Sequence, residues 1–135
     1  MERFSKGLPA LAKLKEQVSG FAKQGYVPSI DKRRIPVRSP HSALNSLLQS
    51  TGSVLCKAYL LAIRDELERQ GLKWGKDYYY LGWCHDEVQI AVRKGLEEAV
   101  GQTAVLVAPQ VGEAFKFRCP LAAEYRQGAS WAETH

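Results

Sequence analysis

The sequence predicts an α+β protein in which a small antiparallel sheet packs against long helices. Three observations carry that prediction. Residues 78–84 (Tyr-Tyr-Tyr-Leu-Gly-Trp-Cys) form an aromatic and apolar run, and beyond it Val88, Ile90 and Val92 alternate with Gln89 and Ala91, the period-two signature of a half-buried strand. Residues 40–70 carry a long helical pattern. Strands and helices also follow one another irregularly, without the strand–helix alternation of a parallel sheet. At 135 residues and 45% hydrophobic, the chain can bury a core, and it reads as one domain or as a piece of something larger.

From about Pro9 to Lys23 the pattern is an amphipathic helix, with Leu11, Leu14, Val18 and Phe21 on one face and lysines elsewhere, ended by Gly25. Tyr26-Val27-Pro28 and Arg34-Ile35-Pro36-Val37 then flank Ser29-Ile30-Asp31-Lys32-Arg33. This strand-turn-strand has a basic tip, and its prolines confine it to an edge ribbon. Ser39 can cap and Pro40 fits the first helical position, so a helix is expected from Pro40 to about Gln70, stopped by Gly71. Its apolar stripe is Leu44, Leu47, Leu48, Thr51, Val54, Leu55, Ala58 and Ala62; Ser46, Ser50, Ser53, Lys57, Arg64 and Glu68 make a solvent-like stripe. His41, Asn45 and Gln49 fall at i, i+4 and i+8, followed on the same side by the small Gly52 and Cys56. The hairpin comes next, with His85-Asp86-Glu87 at its tip. Leu96 to about Ala108 reads as a helix that Pro109 bends or ends, Phe115 to Ala123 as a further strand, and Gly128 to His135 as a short tail. The chain thus divides into a helix and basic ribbon (1–38), a long helix (39–71), and a hairpin, helix and final strand (72–135).

The formal charge of +5 is uneven. Residues 1–50 hold nine Lys/Arg against three Asp/Glu, and the remainder holds ten against eleven. A basic face for a polyanion, most often nucleic acid, is one explanation; a solvated basic surface is the other. Cys56, Cys84 and Cys119 are odd in number, widely spaced and set among apolar residues, so they are expected to be buried free thiols in a reducing cytoplasm, neither a disulfide framework nor a zinc site. The N-terminus lacks a signal-peptide shape and no uninterrupted apolar run approaches the roughly 20 residues that span a bilayer, so a cytoplasmic protein without a membrane partner is expected.

Hairpin turns commonly use Asn-Gly or Asp-Gly because they need positive φ at low cost. This tip has no glycine, and metal binding is the leading explanation, with a polar turn that binds nothing as the alternative. Neighbours on a strand point to opposite faces, so Asp86 and Glu87 are not expected to chelate one ion as a pair. One of them can bind a hard cation such as Mg²⁺, which is held by one or two carboxylates with water and phosphate, while the other supports it. A His-Asp phosphohydrolase would need several more histidines than His41 and His135. Asn45 and Gln49 can each donate and accept, which suits reading bases or sugars in a groove, and Lys32, Arg33, Arg34 and Arg38 suit backbone phosphates.

The order of these features (basic ribbon, amide-bearing helix, carboxylate hairpin) resembles the C-terminal part of family A DNA polymerases, especially the bacteriophage branch. Asp31-Lys32-Arg33-Arg34 looks like the family's Asp-Gly-Arg-Arg turn, with Lys32 in place of the glycine. Ser39 to Ser50 resembles the start of the long palm helix, and His41 matches the histidine of the phage branch. His85-Asp86-Glu87 matches motif C, and Gly128 to His135 looks like the family's natural C-terminus. The resemblance implies a partial palm domain in which Asp86 is a ligand of catalytic Mg²⁺, His85 lies near the primer terminus and Glu87 supports the site. It implies that His41, Asn45, Gln49, Arg33, Arg34 and Arg38 contact DNA, with primer-template DNA and dNTP as partners. Motif A, with its own carboxylates, and motif B lie upstream in the family and are absent here. The chain alone is therefore expected not to synthesise DNA, and a second polypeptide carrying motifs A and B is expected to complete it. A non-catalytic DNA-binding module or a prophage remnant is the other expectation.

Overall fold

The computed structural model describes residues 8–135; the start of the first division, with the N-terminal residues 1–7, lies outside them. Eight elements follow in order: α1 (Pro9–Ala22), β1 (Tyr26–Pro28), β2 (Arg34–Pro36), α2 (Pro40–Arg69), β3 (Tyr78–Cys84), β4 (Glu87–Val92), α3 (Glu97–Ala114) and α4 (Trp131–Thr134). The architecture is α+β with two separate two-stranded antiparallel sheets, β1-β2 and β3-β4. The chain divides into two compact units, Met1–Val54 and Leu55–His135, and the division falls inside α2.

In the first unit, Val18 and Ala22 of α1, Val27 of β1 and Ala43 of α2 form a buried cluster, with Leu14, Ile35, Val37, Leu44 and Leu47 packed against it. The amphipathic pattern of α1 is thus realised, except that Phe21 stays exposed against the Tyr26 ring. Tyr26 pairs with Pro36, Val27 with Ile35 and Pro28 with Arg34. The prolines sit in a ribbon with no further strand, where a missing N–H leaves no ladder bond unmade. Ser39 Oγ accepts the Ser42 N–H at 3.4 Å at the start of α2.

In the second unit, Ile63 and Leu67 of α2, Tyr78 of β3, and Val100 and Val107 of α3 make the core, flanked by Tyr59, Ala62, Leu72, Tyr80, Ile90, Val92 and Ala104. The hairpin is therefore packed against two long helices. Each such side chain contributes about 1.5–3 kcal/mol by leaving water. Tyr59 Oη donates to the Ala104 carbonyl at 2.9 Å and Tyr80 Oη to the Leu60 carbonyl at 2.5 Å, tying α3 and β3 to α2. Gly71 ends α2 at φ +87°, and the Leu72 N–H returns to the Leu67 carbonyl at 3.0 Å, a closure that favours glycine.

Several expectations are corrected. On α2, Leu48 of the expected stripe is exposed; Leu44, Leu47 and Ala62 do pack against the cores, but the fully buried positions are Ala43, Ile63 and Leu67, outside that stripe. By length and composition α2 does match a membrane span, with a mean hydropathy of 1.2 over an 18-residue window that is 6% buried. Asn45, Gln49, Lys57 and Arg64 interrupt its apolar residues, and each unit takes part of the helix into its own core. Helix α3 continues through Pro109 to Ala114, because Val107, Ala108, Val111 and Gly112 keep one buried face. The Val105 carbonyl that loses its donor to Pro109 belongs to an exposed residue.

Residues 115–123 form no strand. Lys116 turns the chain at φ +58°, Pro120 lacks an N–H, and the segment lies along α3 instead. There Gly112 makes room for Leu121, and a Cβ on Gly101 would stand 2.2 Å from the Tyr125 ring. The cysteines are not buried: Cys56 is half-buried, and Cys84 and Cys119 are exposed.

Candidate active site

The β3-β4 register places the turn. Tyr78 pairs with Val92 and Tyr80 with Ile90; a bulge at Leu81 follows, after which Trp83 pairs with Val88 and Cys84 with Glu87. Before the bulge, Tyr78 and Tyr80 face the core; after it, Leu81, Trp83 and Cys84 are exposed. A bulge of this kind re-aims the side chains beyond it and sharpens the strand twist, so the distal end of the hairpin leaves the core.

Because Cys84 and Glu87 pair, the turn proper is His85-Asp86 alone, and Glu87 is the first residue of β4, not part of the tip. His85 has φ +55°, so the turn's positive-φ position, where glycine is usual, carries a histidine side chain. That conformation costs a side-chain-bearing residue on the order of 1–2 kcal/mol. The His85 carbonyl is held from two sides. Trp83 Nε1 donates to it at 2.5 Å, and Cys56 of α2 points its thiol at it from 3.8 Å. Burial pushes the Cys56 thiol above its ordinary pKa, and the nearby Asp86 carboxylate adds to that rise.

The two carboxylates have separate surroundings, as their alternate directions on the strand require. Asp86 is exposed at the tip. Glu87 is half-buried and fully engaged: Oε1 accepts Gln89 Nε2 at 2.5 Å and Trp131 Nε1 at 2.9 Å, and Oε2 meets His135 Nδ1 at 2.7 Å. Gln89 first, then His135 and Trp131, hold the Glu87 carboxyl below the usual carboxylate range. Among the described residues no group of three or more His, Cys, Asp and Glu side chains converges as a metal site. With both Glu87 oxygens engaged, Asp86 is the exposed carboxylate of the tip; among the described residues it can offer one ligand to a Mg²⁺ ion whose other ligands would be water, phosphate or groups from elsewhere.

The other nominated residues lie in the first unit. Arg33, Arg34 and Arg38 are exposed on and after the β1-β2 ribbon, and His41, Asn45 and Gln49 are exposed on α2. Arg33 Nε pairs with Asp31 at 2.5 Å, and the Arg34 guanidinium stacks 4.7 Å over the Tyr26 ring. These six are thus at the surface, where a polyanion can reach them.

Cys56, Trp83, Trp131 and His135 are the participants that sequence reasoning passed over. Cys56 was legible as a small residue on the His41-Asn45-Gln49 side of the helix. Trp131 and His135 carried one local signal, Ser130-x-x-Glu133, the spacing that opens a helix.

The comparisons with known proteins agree with one another. The model of DNA polymerase family A matches residues 1–133. The DNA-directed DNA polymerase of Enterobacteria phage T3 is 36% identical over 155 aligned positions, covering 99% of this chain. That of Escherichia phage T7 is 34% identical, again over 99% of the chain. The chain spans 22% of the length of each of these relatives. Among solved structures, the polymerase domain of Pol1 from M. smegmatis, in complex with DNA primer-template and dNTP, superposes with a TM-score of 0.71 at 20% identity, covering 90% of this chain and 22% of that one. At that identity the likeness concerns the fold.

Proposed function

The chain belongs to DNA polymerase family A, and from that membership we propose that it supplies the motif C portion of the palm of a phage-type DNA-directed DNA polymerase. The observation that carries this reading is the β3-β4 hairpin, which lifts Asp86 out of the core on a bulged, strained turn and leaves its carboxylate exposed. Nucleotidyl transfer by the complete enzyme would use Mg²⁺, with Asp86 as this chain's ligand and His85 beside the primer terminus. The remaining carboxylates would come from a polypeptide bearing motifs A and B. Two-ion chemistry needs more carboxylates than the one that the described residues expose at the tip, so the chain is expected to be inactive alone. Its own residues would hold the primer-template: Arg33, Arg34 and Arg38 at phosphates, and His41, Asn45 and Gln49 at the groove. A cytoplasmic location follows from this role.

Primer extension by the chain together with a complementing polypeptide tests the assignment. Asp86→Ala should abolish extension while leaving most duplex binding, since it removes a ligand and not the basic face. Retained synthesis in that variant would refute it. Binding of primer-template DNA by the chain should weaken steeply with salt as counterions are released. The exposed basic and amide residues of the first unit also support a second reading, a DNA-binding module without catalysis. Salt-dependent binding with no extension under any complementation would favour it.

A further inference from the structure

We propose that the segment Ser130–His135 is a strap that fixes the tip of the β3-β4 hairpin by clamping Glu87, which makes Trp131 and His135 positioning residues for Asp86. The clamp stands on geometry alone; its consequence for Asp86 rests on the polymerase reading above. Trp131 Nε1 and His135 Nδ1 reach separate oxygens of the Glu87 carboxylate, at 2.9 and 2.7 Å. Their rings stack edge to face, with centroids 6.1 Å apart and planes at 83°, so neither donor turns independently of the other. Thr134 Oγ1 adds a contact to Gln89 Oε1 at 3.3 Å, and Gln89 itself donates to Glu87.

The strap has its own fold. Glu133 accepts the Ala129 N–H at 2.8 Å and meets the Ser130 hydroxyl at 3.3 Å, which closes α4 as a single turn and sets Trp131 and His135 on one side of it, four residues apart. Glu87 is the residue immediately after the turn and pairs with Cys84 across it. Clamping that carboxylate fixes one side of the turn, while Trp83 and Cys56 fix the other through the His85 carbonyl. A residue held in the left-handed region persists only where its surroundings over-determine it, and the strap is one such surrounding. This arrangement also gives Glu87 a role other than metal ligation.

Two-dimensional NMR of the 135-residue chain tests the strap. Glu87→Ala should displace the Trp131 indole N–H resonance and speed its exchange with solvent on the order of tenfold, as expected for losing a bond to a charged acceptor. The Trp74 indole should stay in place. Trp131→Phe keeps the ring and removes the donor. It should shift the His85 and Asp86 amides and move the His85 N–H to Hα coupling away from the value of a fixed positive φ. His135→Gln retains a donor and should disturb the tip least, whereas His135→Ala should disturb it as Trp131→Phe does. A Trp131 indole indifferent to Glu87→Ala, or a tip unmoved in Trp131→Phe, overturns the proposal. Should Glu87→Ala fail to fold, the Trp131→Phe spectrum decides. Primer extension with the complementing polypeptide separates the two readings: synthesis retained in Asp86→Ala overturns the polymerase reading, and the spectra still decide the strap.

Discussion

The turn of the β1-β2 ribbon and the turn of the β3-β4 hairpin each place a side-chain-bearing residue in the left-handed region, Lys32 at φ +69° and His85 at φ +55°. Their means of holding that conformation differ. Around Lys32 the bonds are mostly local, with one long-range contact, Ser29 Oγ to Ser50 Oγ of α2 at 3.1 Å. The Ser29 N–H meets the Arg33 carbonyl at 2.8 Å, the Lys32 N–H meets the Ser29 carbonyl at 2.9 Å, and Asp31 takes both the backbone and the guanidinium of Arg33. Around His85 one partner is local, Trp83 at the carbonyl, and the others come from far along the chain: Cys56 from α2, and Trp131 and His135, which reach its neighbour Glu87 from the C-terminal turn. A turn held mainly by its own residues is written largely in a few consecutive letters. A turn held by distant residues exists only when the second unit has folded, which suits a site whose geometry must be fixed from several directions.

Four substitutions or conditions would sharpen that contrast. Leu67→Ala, at a fully buried position of the second core, should cost about 2–5 kcal/mol and release the β3-β4 hairpin. Hydrogen exchange should show protection lost at Tyr79 and Ala91, a hydrogen-bonded pair of that ladder, while Val27 and Ile35 keep theirs; equal loss in both ribbons would break the distinction. Gly101→Ala should cost about 1–3 kcal/mol in thermal melts, because its Cβ would collide with Tyr125 and lift residues 115–128 off α3. Lys32→Gly should stabilise the chain by about 0.5–1 kcal/mol, since relieving left-handed strain outweighs the added chain entropy. In denaturant titration that gain should appear without any change at the β3-β4 tip.

The smallest effect is a pH dependence at the end of α2. Hydrogen bonds from Arg69 and Gln70 lower the Glu66 carboxyl from 4.5 to about 2. A depressed carboxyl contributes stability above its unfolded value, and that contribution is lost as pH falls from about 4.5 towards 2. Glu66→Gln should flatten the acid side of the stability profile within that window, and an unchanged slope would show the pair to be too exposed to matter.

Legibility followed the same division. Helix α1, the proline-bearing ribbon and the start and stop of α2 were readable because their signals are adjacent residues: Pro9, Gly25, Ser39-Pro40 and Gly71. The period-two run of β4 placed the hairpin within a residue. The continuation of α3 through Pro109 was not readable, because burial of Val111 and Gly112 outweighs the local cost of the proline. The absence of a strand at 115–123 was equally hidden. Phe115 and Phe117 look strand-like, but Leu121 and Tyr125 find notches at Gly112 and Gly101 that no local pattern announces.

The sequence by itself determined the α+β class, the family, the exposed basic ribbon and the position of Asp86 at a hairpin tip, since periodicity, capping and turn residues act over a few neighbours. Tertiary structure alone decided that Glu87 belongs to β4 and turns to Trp131 and His135, 44 and 48 residues away. It also decided that Cys56 supports the His85 carbonyl across 29 residues. Such contacts depend on which faces the helices present once their cores have packed, and the loops that separate the partners leave no trace of that in the local sequence.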